Sequence, residues 1–169
     1  LVWLSRHQHR DGYWDSDGFA ILCPGVQKCQ DPGVRGLHGD PKRPEAARRA
    51  GLHADAGITA LSLLAFLGAG YTHEEGPHAE QITRAIDWLI GQQRFDGLLG
   101  SRATRYAQNY CHAMATYALA EAYGMQADKT QNARLKTAVL RAVASIIAQQ
   151  HPMTGGWRYV KGQEGDMSM

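Results

Sequence analysis

Three cysteines in 169 residues are too few for a disulfide framework. An excess of one charge is also missing: 18 Lys and Arg face 16 Asp and Glu, leaving a net charge of +2. The basic residues are mostly interspersed with acids, so there is no concentrated basic face, and no nucleic-acid partner is expected. No apolar run reaches the roughly 18 residues that a membrane span needs. No segment alternates apolar and polar residues with the period of two that marks a strand. No secretory leader is read where the chain opens on Leu1-Val2-Trp3. Proline is scarce, with six in the chain, and Pro24, Pro32, Pro41 and Pro44 all fall within 9–53. That stretch adds Gly12, Gly18, Gly25, Gly33, Gly36 and Gly39 and has little periodicity, so a long functional or partly mobile loop is expected. A short helix at Pro44–Ala50 is compatible with Pro in a first turn.

What is present points to helices. At 44% apolar and 20% charged, the chain has the make-up of one globular domain, 1–169, with a real core. Asp55 to about Gly68 and Tyr106 to Tyr123 are apolar nearly all round, which predicts helices buried on most sides. Pro77 to Gln93 and about Thr130 to Gln150 are amphipathic, the second with Leu135, Val139, Ala142, Val143, Ile146 and Ile147 at 3–4 spacing. Buried and amphipathic helices therefore alternate, as an inner and an outer layer require.

A short pattern recurs. Trp3-Leu4 leads to Gln8 and then Gly12-Tyr13-Trp14; Trp88-Leu89 leads to Gln93 and then Gly97-Leu98-Leu99; Ile146-Ile147 leads to Gln150 and then Gly155-Gly156-Trp157. The Gln positions lie 85 and then 57 residues apart, a period typical of repeat architectures. Physically, the Gln amide can satisfy carbonyls orphaned at a helix end or in a neighbouring turn. The Gly permits a turn with positive φ, and the Trp is an apolar lid whose N–H wants a partner.

This unit resembles the QW motif of the squalene and hopene cyclases. Related repeats occur in the protein prenyltransferase β subunits and in the bacterial prenyltransferase and squalene oxidase repeat proteins. The resemblance covers the whole chain in about two and a half repeats and implies an all-α, partial α/α toroid. Both ends look cut, so a fragment of a longer toroid is expected, with open apolar edges that favour self-association.

Aligning the buried helices by Thr59 and Thr116 puts Asp55, His112 and Asp166 in one frame, 57 and 54 residues apart. Converging at inner-helix N-termini, they are the candidate catalytic residues, able to move protons or bind a divalent metal. The plainer alternative is helix capping by the carboxylates and a hydrogen-bonded structural role for His112. By the resemblance, the cyclases carry Asp-x-Asp-Asp-Thr in this frame, whereas here Asp55-Ala56-Gly57-Ile58-Thr59 keeps only the first acid. In the prenyltransferases, Zn²⁺ is held by an Asp, a Cys two residues on, and a His from another repeat. Asp55 and His112 match two of these, Gly57 stands in place of the Cys, and Cys111 lies about 100° round the helix from His112. Zn²⁺ on Asp55 and His112 is thus an incomplete match.

Trp14, Tyr110 and Trp157, with Tyr106 and Tyr117, are candidate walls of an apolar pocket able to stabilise a carbocation, or else ordinary packing between repeats. Cys23 and Cys29, with His38 and His53, read as a loop metal site, a disulfide or a pair of reduced thiols. His7 and His9 read as solvated turn residues, and Lys42, Arg43, Arg48 and Arg49 as an exposed loop face. The resulting expectation is an apolar, isoprenoid-like small molecule bound in a central cavity, with the incomplete acid motif counting against catalysis. The alternative is a non-catalytic helical-repeat interaction scaffold.

Overall fold

The computed structural model describes residues 1–17, 52–100, 102–127 and 132–165. Among them are five α-helices and no strand: α1 (Val2–His7), α2 (Asp55–Gly68), α3 (Ala79–Gly91), α4 (Gln108–Gly124) and α5 (Ala133–Gln149). No helix there is long and apolar enough to cross a membrane. The short helix expected at Pro44–Ala50, the basic run from Lys42 to Arg49, Cys23, Cys29, His38 and Asp166 all lie outside the described residues.

Each helix follows from its residues. In α2, Asp55 sits in the first turn, where a carboxylate complements the helix dipole. The helix closes where Gly70 adopts φ 85 and the Tyr71 N–H reaches back to the Phe66 carbonyl at 3.1 Å. The α3 helix buries Ile82, Ala85, Ile86 and Leu89, one stripe at helical spacing. It is shorter than the amphipathic pattern at both ends. The Asn132 side chain caps α5 by accepting from the Leu135 N–H at 2.9 Å.

The helices form two layers. The closest association is α2 with α4; α3 lies on α2, α5 lies on α4, and α3 meets α5 more lightly. The shared core includes Leu63, Phe66, Ile82, Leu89, Leu119 and Leu135, all fully enclosed.

The expectation that the inner helices have no wet face is corrected. Ile58, Leu61 and Ala65 of α2 are exposed, and so are Ala113 and Tyr117 of α4. The 57-residue offset supplies the reason. It carries Ile58, Leu61 and Ala65 onto Ala115, Ala118 and Ala122, which α4 buries completely. It carries Ala113 and Tyr117 back onto Ala56 and Ala60, which α2 buries. The same two sides that face a neighbour within the α2–α4 pair are open at its outer edges. Helix periodicity is intact; a neighbouring helix is lacking on each side among the described residues.

Candidate functional site

The first two recurring turns share one backbone pattern, and the third is one residue longer. Gln8 donates from Nε2 to the Gly12 carbonyl at 2.9 Å and to the Gln81 carbonyl on α3 at 2.8 Å. Gln93 does the same with the Gly97 carbonyl at 3.1 Å and the Ala138 carbonyl on α5 at 2.9 Å. One amide thus ties a turn to the next outer helix. The glycine lets that helix come close: a Cβ on Gly12 would lie 2.3 Å from the Arg84 carbonyl oxygen, and one on Gly97 2.2 Å from that of Arg141. At the third turn Gln150 bonds the Gly155 carbonyl at 2.7 Å. The indole N–H groups of Trp14 and Trp157 donate to the Leu4 and Ile146 carbonyls, both at 2.9 Å, four residues before the respective Gln.

Asp55 is the first residue of α2, and its Oδ1 accepts from the Ser16 N–H at 2.9 Å and the Ser16 hydroxyl at 2.8 Å. It ties the turn after Trp14 to the inner helix, and Thr59 helps by accepting the Trp14 N–H at 3.0 Å. His112 lies one turn further into its helix than Asp55 does. Its Nδ1 accepts the Leu99 N–H at 3.2 Å, which leaves the proton of the neutral ring on Nε2. Nε2 is buried with no hydrogen-bond partner among the described residues. Burial holds the His112 pKa below the ordinary histidine value, with the nearby Ala142 carbonyl and the Asp96 carboxylate opposing it. The neutral ring braces the turn at Leu99 against α4.

Gly57 and Cys111 meet directly, since a Cβ on Gly57 would lie 3.0 Å from the Cys111 sulfur. The thiol fills the space beside Gly57, and burial followed by the Asp55 charge raises its pKa. Its neighbour His112 is occupied with Leu99 instead. Among the described residues, His112 belongs to no grouping of three candidate metal ligands, so a three-ligand zinc site built on it does not fit. The grouping that does occur joins Asp15, Asp17 and Asp55, whose carboxylate oxygens lie within 4.8 Å of one another. The Asp17 pKa is raised by partial desolvation, by its hydrogen bond to Asp15, and by the charges of Asp15 and Asp55. The Asp15-Ser16-Asp17 signal is present in the sequence but looks like any polar turn.

Of the proposed cavity walls, Trp14 is closed into the core at 2% exposure, its ring 6.0 Å from that of Phe66. Trp157 is half-buried and lines a groove of about 210 Å³ with Asn109, His112, Ala113, Ile146 and Gln149. Tyr110 is half-buried, its ring 6.2 Å from that of Tyr159. His7 is corrected from a solvated residue to a buried one: it ends α1 stacked on Trp3 at 3.9 Å, with Nδ1 2.7 Å from the Trp3 carbonyl oxygen. His9 is half-buried, 3.4 Å from the Asp11 carboxylate.

Compared with family models, with curated proteins and with solved structures, the chain matches none.

Proposed function

We propose that this chain is a repeat segment of a partial α/α toroid of the squalene-cyclase and prenyltransferase type, which holds an apolar, isoprenoid-like molecule without transforming it. The observation that carries the reading is Leu64 of α2 and Met114 of α4, apolar residues beside the core that stay partly exposed. Gly57 occupies the frame of the cyclase acid, and Cys111 rather than a carboxylate abuts it. Asp55 is engaged by Ser16 and His112 is enclosed, so the polar residues in this frame support structure rather than proton transfer.

The test is titration with squalene and with farnesol, following thermal unfolding and extracted products. The expected result is a rise in Tm without new products, and loss of the rise in Met114→Asp. No change in Tm with either molecule, or turnover of either, would overturn the reading. The alternative, a helical-repeat interaction scaffold, is favoured by a separate observation: the apolar edges left open on α2, α4 and α5. Association of this chain with itself through those edges belongs to that alternative.

A further inference from the structure

The two joints between outer helices differ at one pair of positions. At the first, Tyr13 of the turn stacks on Trp88 of α3, ring centroids 4.9 Å apart. The glutamine bridges fix the correspondence, because Gln8 and Gln93 reach the carbonyls of Gln81 and Ala138. Tyr13 therefore corresponds to Leu98, five residues after its Gln, and Trp88 to Ser145, seven residues after the receiving carbonyl. A leucine and a serine cannot fill the space of two stacked aromatic rings. Beside Trp88 and Gln92 a space of only about 10 Å³ remains. Beside their counterparts Ser145 and Gln149 there is a cavity of about 380 Å³, in the size range of small-molecule sites. Its walls are held in place. The Asn109 amide donates to the Arg158 carbonyl at 2.6 Å, which ties the third turn to the start of α4. The neighbouring Tyr159 ring meets that of Tyr106 edge-on at 5.3 Å. Leu98, Ala148 and Val160 give the cavity an apolar lining, and Arg94, Asp96, Arg105 and Lys161 a charged one. Arg94 and Asp96 neutralise each other at 3.0 Å. Arg105 and Lys161 have no carboxylate partner among the described residues.

We infer that this cavity binds a small aromatic phosphate, its ring taking the space that Tyr13 and Trp88 fill at the first joint and its dianionic head held by Arg105 and Lys161. Two uncompensated cations match a phosphomonoester, which carries nearly two negative charges at neutral pH, better than they match one carboxylate. The Arg guanidinium offers forked N–H donors to phosphate oxygens, and Lys adds a point charge. Leu98, Ala148 and Val160 give a ring apolar contact on release of water. All the lining residues lie within 94–161, so the site is assembled from the described turns and the ends of α4 and α5. The inference is independent of the apolar ligand proposed above, whose residues, Leu64 and Met114, do not line this cavity.

The test titrates the whole chain with phenyl phosphate at low ionic strength by calorimetry, with phenol and inorganic phosphate as the two half-ligands. Saturable binding of phenyl phosphate is expected, tighter than that of either half. Arg105 and Lys161 are exposed, so Arg105→Gln and Lys161→Gln should each weaken binding about fivefold with circular dichroism unchanged. Rebuilding the aromatic pair of the first joint, Leu98→Tyr together with Ser145→Trp, should fill the cavity and abolish binding. Absence of saturable binding, or binding that neither charge variant weakens, would overturn the inference. Inorganic phosphate binding as tightly as phenyl phosphate would overturn it too, by leaving the ring without a place. So would undiminished binding by a folded double variant; the two charge variants keep the test decisive if that double variant does not fold.

Discussion

The side-chain amide of Gln93 donates to the main-chain carbonyl of Ala138, 2.9 Å away on α5, while holding the Gly97 carbonyl of its own turn. A hydrogen bond of this kind contributes about 1 kcal/mol net, and a buried group left without its partner costs more. Gln93→Ala should therefore lower stability by about 2 kcal/mol. Gln150→Ala, at an exposed turn, should cost less than about 0.5 kcal/mol. Urea unfolding of both variants distinguishes them; equal losses would contradict the bridging role of Gln93.

The turn glycines should separate in the same way. Gly12 and Gly97 combine positive φ, 102 and 87, with a carbonyl oxygen inside contact distance of any Cβ. Left-handed strain and overpacking together predict a cost of about 3 kcal/mol for Gly12→Ala or Gly97→Ala. At Gly155 strain acts alone, and about 1 kcal/mol is expected. Thermal unfolding of the three alanine variants reads the difference directly.

His112 makes stability depend on pH in a definite direction. Its folded-state pKa lies below the ordinary value of 6.5 because burial penalises the charged ring. The unfolded chain thus binds a proton that the folded chain refuses. The stabilisation is fully present above pH 6.5 and declines as pH falls below it. His112→Gln, which keeps an acceptor for the Leu99 N–H, should flatten this decline. An unchanged slope in Tm between pH 7 and 5 would assign the acid sensitivity to other groups.

Asp17 should act with the opposite sign. Its pKa is raised above 3.8 in the folded chain, so stability falls as pH rises through the interval just above that value. Asp17→Asn should remove this loss and stabilise the chain slightly at neutral pH. A variant less stable at pH 7 than the wild type would show that the Asp17 charge is useful there.

Two glycines of α2 offer a matched comparison. Gly68 has nothing within 4 Å of a Cβ, and Gly68→Ala should add about 0.5–1 kcal/mol by reducing unfolded-chain entropy. At Gly57 the Cys111 sulfur stands 3.0 Å from the same atom, so Gly57→Ala should forfeit that gain. Cys111→Ala should restore it. A double-mutant cycle with no coupling would show that the thiol moves aside freely.

Much of the layering was readable in the residues themselves. Ile82, Ala85, Ile86 and Leu89 announce a helix lying on a core, and the recurring Gln and Gly locate the turns. The reading of Gln as a partner for a turn carbonyl anticipated the bonds to Gly12 and Gly97, but not the reach to Gln81 and Ala138, which lie within the next helices. Edge exposure was not readable, because Ile58 and Ala115 have the same apolar character whether or not a neighbour covers them. The same applies to the site. Sequence could align Asp55 with His112, but not show that Ser16 claims one and Leu99 the other. Nor could it reveal that Asp15 and Asp17 fold back onto Asp55, because that approach depends on the turn after Trp14.

The bridges between successive outer helices end on peptide oxygens. A peptide oxygen survives almost any change of side chain. The Gln bridge is therefore indifferent to most side chains of the receiving helix, although Arg84 and Arg141 add side-chain bonds of their own at the two joints. Lineages built this way can retain their architecture long after ordinary sequence kinship has faded.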